Sequence, residues 1–283
     1  MDEEIKGKGI HHTHKILLIF VVIIMLLFIL PLVVMFIGAV KPGMALYKIP
    51  ADLNPFKNLT LDNIKAVWKR VNLSQAFVNS FVYTVSICLI TIFVGLTGGY
   101  AFAKRNFPGK KALFVVLLAT MMMPRQIMLI PNYMVAYKLG LTNKPIGLIL
   151  TSINCAYAIF MCRQYIKGIP NELIEAAEID GCSNRRIFWD IIVKMSGPLI
   201  AELFIFTFIS SWNDFVWQNV MISKKQFRTI PLALAYLDGT TDSVNTMGLK
   251  MAGASLSSIP MLLIFSYFQK YFIKGISDGS VKE

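Results

Sequence analysis

The sequence predicts an all-α, polytopic membrane protein with six transmembrane helices, and three observations carry that prediction. Hydrophobic residues make up 55% of the 283 positions and charged residues 16%, against about 25% charged in an average soluble domain. Mean hydropathy is +0.60. The apolar residues also come in blocks, each close to the roughly 20 residues that a helix needs to cross a bilayer.

The first block, residues 16–40, follows a short cytoplasmic tail (1–15) and contains Pro31, a candidate kink. It is too long, and too poor in small residues at its end, to be a cleaved signal peptide. The tail holds His11, His12 and His14, read as incidental histidines of a flexible segment rather than a metal site. An extracytoplasmic segment, 41–75, carries Pro42, Pro50 and Pro55, then a helix-like stretch over 61–71 expected at the membrane surface.

The second block, 76–103, places Gly95, Gly99 and Ala103 four residues apart. That spacing permits close helix approach in lipid, within the subunit or against a partner. The third block, 112–137, is expected to be interrupted near Arg125, which stands between Pro124 and Pro131. The fourth covers 146–165, the fifth 198–222 and the sixth 251–273, with a cytoplasmic tail over 274–283. A second long polar loop, 223–250, contains Pro231, Asp238, Gly239 and Asp242.

The net charge of +12 sits mostly in short links between blocks, where Lys and Arg set orientation and meet anionic headgroups. No basic groove or stacking platform accompanies it, which argues against nucleic-acid binding. Placing the basic links 104–111 and 163–194 inside puts both termini in the cytoplasm. Residues 41–75 are basic as well, but long loops translocate with less regard to charge. Cys88, Cys155, Cys162 and Cys182 lack metal or redox spacing and read as small buried hydrophobes. Neither a Ser/His/Asp set nor a Walker-type loop is visible.

One link stands out. Residues 170–181 form a charged, helix-forming run ending in Gly181, with Asn171 as expected N-cap and Leu173, Ala176 and Ala177 expected on one apolar face. Gly181 would break the helix. Ser183 would cap a second helix with an apolar stripe of Ile187, Phe188, Ile191 and Ile192. Such a pair projects into the cytoplasm. Its chemistry fits equally a knob that enters a groove on a partner and a surface loop packed on its own spans.

Polar residues inside the spans are candidates for a translocation path: Arg125, Asn154, Glu202, Asn213, Asp214 and Gln218. Asn213 and Trp217, four apart, could present an amide and a ring to a sugar; Trp212 and Trp217 equally suit an interfacial aromatic belt.

The stretch EAAEIDGCSNRRIF resembles the EAA loop of permease subunits in ATP-binding-cassette (ABC) importers. The segments NSFVYTVSICLITIFVGLTGGYAFAKRNFPGK, MMMPRQIMLIPNYMVAYKLGLTNKPIGLIL, WNDFVWQNVMIS, RTIPLALA and YFIKGISDGSVK are similar to family segments in the same order. The chain looks like the shorter permease of maltose-like carbohydrate importers. The resemblance implies a type I importer fold, with a core domain over 76–273 and an EAA loop at about 163–197. It implies docking on an ATPase through Glu175, Ala176, Ala177, Asp180 and Gly181. It implies a second homologous permease, two ATPase subunits and an extracellular solute-binding protein as partners.

The same resemblance places the chain in a bacterial inner membrane as a non-catalytic subunit. No cofactor is expected in this chain, ATP and Mg being held by the partner ATPases. The solute would be a di- or oligosaccharide; a glycerol-phosphate-like compound, or another solute such as an amino acid, is the alternative. A membrane-embedded enzyme is the weakest reading. The loop from Tyr236 to Met247, with Asp238, Gly239, Thr240 and Asp242, resembles the family's outer loop that enters the binding protein. One departure is clear: the family's usual leucine–proline pair after the docking helices is Val193-Lys194 here, followed by Pro198.

Overall fold

The computed structural model describes residues 2–43, 53–239 and 246–280. The described residues are helical and fall into two compact units, Met1–Asn72 with Tyr236–Ser258, and Leu73–Ala235 with Ile259–Glu283.

In the first unit, helix α1 (Asp2–Ala39) contains Pro31 and includes nearly all of the stretch expected as a flexible tail. Its stretch Leu17–Ala39 is apolar and long enough to span a bilayer, and Leu18, Leu26, Leu27 and Phe28 are exposed on it. Helix α2 (Asp62–Arg70) has Asp62 in its first turn and Lys69 and Arg70 in its last, the order that its dipole favours. Its Asn63 is buried, and the amide donates to the carbonyls of Ala39 (3.2 Å) and Lys41 (2.6 Å), tying α2 to the end of α1. Lys41 is fully buried and its ammonium donates to the Lys57 carbonyl.

The second unit is organised around α3 (Leu73–Lys104), apolar over its length and long enough to cross a membrane. The expected close approach at Gly95 and Gly99 occurs inside the subunit, against α7 (Cys155–Lys167). A Cβ on Gly95 would meet that of Ala158 at 2.9 Å, and one on Gly98 would meet Ile159 at 2.8 Å. Only glycine lets the two backbones come this close. At the other end of α3, Asn79 donates to the carbonyls of Gln226 (2.8 Å) and Arg228 (2.9 Å), and the Ser80 hydroxyl accepts from the Ile230 N–H. The start of the loop 223–250 is thereby pinned, and its described residues are not structureless: they include α12 (Ile230–Ala235) and the start of α13 (Thr246–Ser280).

The third span is interrupted near Arg125, as expected, and two spans expected as continuous, the fourth and the fifth, are broken as well. The third consists of α4 (Lys110–Met121) and α5 (Leu129–Lys138), separated by a turn that contains Pro124 and Arg125. The fourth is α6 (Pro145–Ser152) and α7, bent by 44° at Ile153 and Asn154. The fifth is α10 (Gly197–Trp212) and α11 (Val216–Met221). Proline and short polar residues interrupt the backbone ladder at these points, and such breaks occur at membrane depth where they are buried in protein or line a cavity. α4 is held by rings: Phe114 lies 5.5 Å from Phe102 and 6.4 Å from Phe160, and the Arg163 guanidinium sits 3.9 Å above the Phe114 ring.

Candidate functional site

The charged link forms two short helices about a glycine turn. α8 (Asn171–Ile179) is entered from Pro170, which takes the cap position expected for Asn171. The Asn171 side chain instead accepts from Lys104 at 2.7 Å. The inward residue of α8 is Ile174, packed with Ala177 into the cluster formed by Ile166, Ile169, Ile187 and Ile192. Leu173 and Ala176 therefore face outward, correcting the face expected from spacing: Leu173 is 43% exposed and Ile179 86%. Among the predicted docking residues, Glu175, Ala176 and Asp180 are exposed and Ala177 half-buried.

Gly181 has φ +74°, the left-handed conformation that glycine adopts without a Cβ penalty. Its N–H bonds the Glu178 carbonyl at 3.1 Å, and the Cys182 N–H reaches the Ala177 carbonyl at 2.9 Å. These two bonds are the Schellman closure of a helix. Ser183 then caps α9 (Asn184–Ile187), accepting from the Arg186 N–H at 3.4 Å. α9 continues as a π-helical turn over Phe188–Val193, with Ile187, Phe188 and Ile192 buried as the stripe predicted. Lys194 donates to Asp190 at 2.9 Å. This hydrogen bond, then the Lys194 charge and that of Arg186, hold the Asp190 carboxyl below its ordinary range. The chain still turns by 77° into α10 without the family's proline at Lys194. Ser196 is fully buried at the bend and its hydroxyl donates to the Ile192 carbonyl at 2.7 Å.

Two residues read only as orientation signals in the sequence hold this pair to α3. Lys104 donates to the Ile169 carbonyl and to Asn171. Arg105 pairs with Glu178 at 3.0 Å and donates also to Tyr100 and to Asn184. Apart from Tyr100, five residues before Arg105, the partners lie 65 to 79 residues away in sequence, so no local pattern announces them.

Elsewhere in the same unit, the breaks at Arg125, Asn154 and Asp214 converge. Two adjoining cavities, about 260 and 750 Å³, share Arg125, Ser152, Asn154, Tyr157 and Asp214 as lining. The smaller cavity adds Thr207, Ser210 and Ser211; the larger adds Gln126, Asn132 and Trp217. Of the predicted path residues, Arg125, Asn154, Asp214 and Trp217 thus come together. Gln218 lines neither cavity; it is buried, its amide 3.5 Å from the carbonyl of Ser211. Asn213 points elsewhere, donating to the Ile209 carbonyl. The break between α10 and α11 removes the common helix face expected for Asn213 and Trp217. Trp212 and Trp217 are both buried, and the Trp217 indole donates to Thr151, so neither forms an exposed aromatic belt. Cys155 lines the larger cavity and is exposed, unlike Cys88 and Cys162.

The expected outer loop is described in part. Tyr236 and Met247 are exposed, Asp238 and Gly239 lie in a 3-10 turn, and Thr240 and Asp242 lie outside the described residues.

Comparison with known proteins gives a consistent picture. The chain is 32% identical to the arabinooligosaccharides transport system permease protein AraQ of Halalkalibacterium halodurans, over 89% of this chain and 90% of that protein. It is 30% identical to the sn-glycerol-3-phosphate transport system permease protein UgpE of Salmonella typhi, over 94% and 95% respectively. Its fold matches a crystal structure of a bacterial ABC transporter involved in import of the acidic polysaccharide alginate. The TM-score is 0.83 at 20% identity, covering 91% of this chain and 95% of that one. Residues 91–278 match the model of the binding-protein-dependent transport system inner membrane component family. With its broken spans, paired short helices about Gly181 and type I permease fold, the chain belongs to that family and is a transport permease.

Proposed function

We propose that this chain forms half of the translocation path of an ATP-driven sugar importer, carrying a di- or oligosaccharide delivered by an extracellular binding protein. The observation that carries the reading is the α8–α9 pair: a helix that buries Ile174 toward its own core while leaving Leu173 and Ile179 exposed. An exposed apolar face on a charged helix outside the spans is suited to a groove on a soluble partner. Two ATPase subunits, which bind ATP and Mg, would take that face here and beneath a second, homologous permease. Glu175, Ala176, Ala177, Asp180 and Gly181 are the docking core in this reading. Both termini lie in the cytoplasm.

Alternating access follows if closure of the ATPases moves the docking pair and thereby the helices that line the cavity. Arg125, Asn154, Asp214 and Trp217 are the groups proposed to meet the solute there; Asn213, capping the end of α10, and Gln218, buried on α11, flank them. The loop from Tyr236 to Met247 is proposed to meet the binding protein.

A glycerol-phosphate-like solute is the second reading, favoured by the similarity to UgpE. The cavity lining argues for the sugar. A phosphate entering a site of low dielectric needs an excess of positive charge, whereas Arg125 is accompanied by Asp214 and by neutral hydroxyl and amide groups. Hydroxyl arrays of a sugar are satisfied by such a mixture of donors and acceptors. Uptake into vesicles holding the reconstituted complex decides the point. Labelled arabino-oligosaccharide or another neutral oligosaccharide should accumulate with ATP, and sn-glycerol 3-phosphate should not. Accumulation of glycerol 3-phosphate alone would overturn the sugar reading.

A further inference from the structure

We infer that Lys104 and Arg105 are positioning residues that make α3, α7 and the docking pair move as one body. They would thereby deliver displacement at the ATPase face to the cavity. The inference rests on the docking reading above and adds to it the parts that carry the motion.

Covalently, α8 is joined to α7 only through Gly168, Ile169 and Pro170. Ile174 and Ala177 pack the middle of α8 into the core shared with Leu96 and Tyr100 of α3, but apolar packing is non-directional and leaves the ends of α8 to be fixed. Lys104 and Arg105 supply those directional constraints. Lys104, the last residue of α3, holds the start of α8 through the Ile169 carbonyl and the Asn171 side chain. Arg105 holds its far end through Glu178 and reaches the start of α9 through Asn184. Docking helix and follower are therefore fixed at three points to the end of one long helix.

The residue type matters. Arg105 serves acceptors on three elements, Glu178, Asn184 and Tyr100, and its guanidinium lies 5.2 Å from the centre of the Tyr100 ring. A planar fork of donors can do this; a single ammonium cannot match the same geometry. An isolated exposed ion pair contributes little, but Arg105 joins two separate helices to a third.

The remaining step is the contact between α3 and α7. Gly95, Gly98 and Gly99 bring the two backbones so close that relative sliding would drive backbone into side chain. α7 then runs about 20 Å by its helical rise to its first turn, where Asn154 and Tyr157 line both cavities. Displacement of α8 is carried along this body and emerges at the 44° break between α6 and α7.

The test uses the complete reconstituted transporter with Lys104→Met, Arg105→Met, the double Met variant, Arg105→Glu alone, and the exchanged pair Arg105→Glu with Glu178→Arg. ATPase subunits should co-purify with Lys104→Met and Arg105→Met as with the native chain, and ATP hydrolysis should persist. Solute moved per ATP should fall about fivefold or more in the double variant, the lower range of measured coupling between sites. The exchanged pair should recover part of the ratio lost in Arg105→Glu alone. A native transport ratio in the double variant, no recovery in the exchanged pair, or loss of ATPase subunits from Arg105→Met would each overturn the inference. A separate arm isolates the docking reading: ATPase subunits that still bind Ile179→Asp would sink it, whatever the clamp variants show.

Discussion

At the scale of single residues, two glycines make opposite kinds of demand. Gly99 is needed for space: an added Cβ would come within 2.9 Å of the Arg163 backbone nitrogen. Gly99→Ala should lower stability by about 1–3 kcal/mol through overpacking, seen as a lower thermal unfolding midpoint in detergent. Gly197 faces open space at ordinary φ, and Gly197→Ala should be neutral or slightly stabilising in the same assay. Gly181 is needed for conformation, since nothing lies within 4 Å of its missing Cβ but its φ is +74°. Gly181→Pro removes both the positive φ and the N–H that closes α8. It should abolish ATP-driven uptake while membrane levels of the chain hold; normal uptake would count against the turn's role. Asp190 gives a prediction about pH. Its folded carboxyl titrates below the ordinary range, so its pairing is complete above that range and is lost as pH falls through the depressed value. Lys194→Met should therefore leave uptake at neutral pH unchanged, and the Asp190 carboxyl should titrate higher when followed by NMR.

The elements show where sequence reasoning carried and where it stopped. Apolar block length located the three helices among the described residues that are long and apolar enough to cross a bilayer by themselves, within α1, α3 and α13. Block averages hid the breaks at 153–154 and 213–215, since a few polar residues barely lower a mean but stop a helix, whereas Pro124 and Pro131 about Arg125 announced the break at 122–128. Ser152, Asn154 and Tyr157 in an apolar run were the available signal for the cavity. The apolar face of α8 was misassigned for a related reason: Leu173, Ala176 and Ala177 share a helical face by spacing, but so do Ile174 and Ala177. Only the packing of Ile174 against Ile166 and Ile187 decides between them. The outward side then predicts that Ile179→Asp removes the ATPase subunits from the purified complex and leaves Ile174→Val, on the inward side, able to bind them.

For the whole molecule, the distribution of basic links predicts sidedness. A cysteine placed at Lys110 should react with an impermeant maleimide only in inside-out vesicles, and one at Asn58 only in right-side-out cells. The native Cys155 should be replaced first, because it is exposed. The reverse labelling pattern would invert the topology and place the docking pair on the wrong side for an ATPase. The segment between Gly168 and Gly197 has one further consequence, for exchange between proteins. It begins at a three-residue link and ends at a bend made by Ser196 and Pro198, so in covalent terms it is a cassette that could be swapped to change which motor a permease accepts. Its non-covalent boundary is wider. If the proposed docking holds, a graft that omits residues 104 and 105 would import the α8–α9 face without its attachment, so lineages that trade this segment should trade the end of α3 with it.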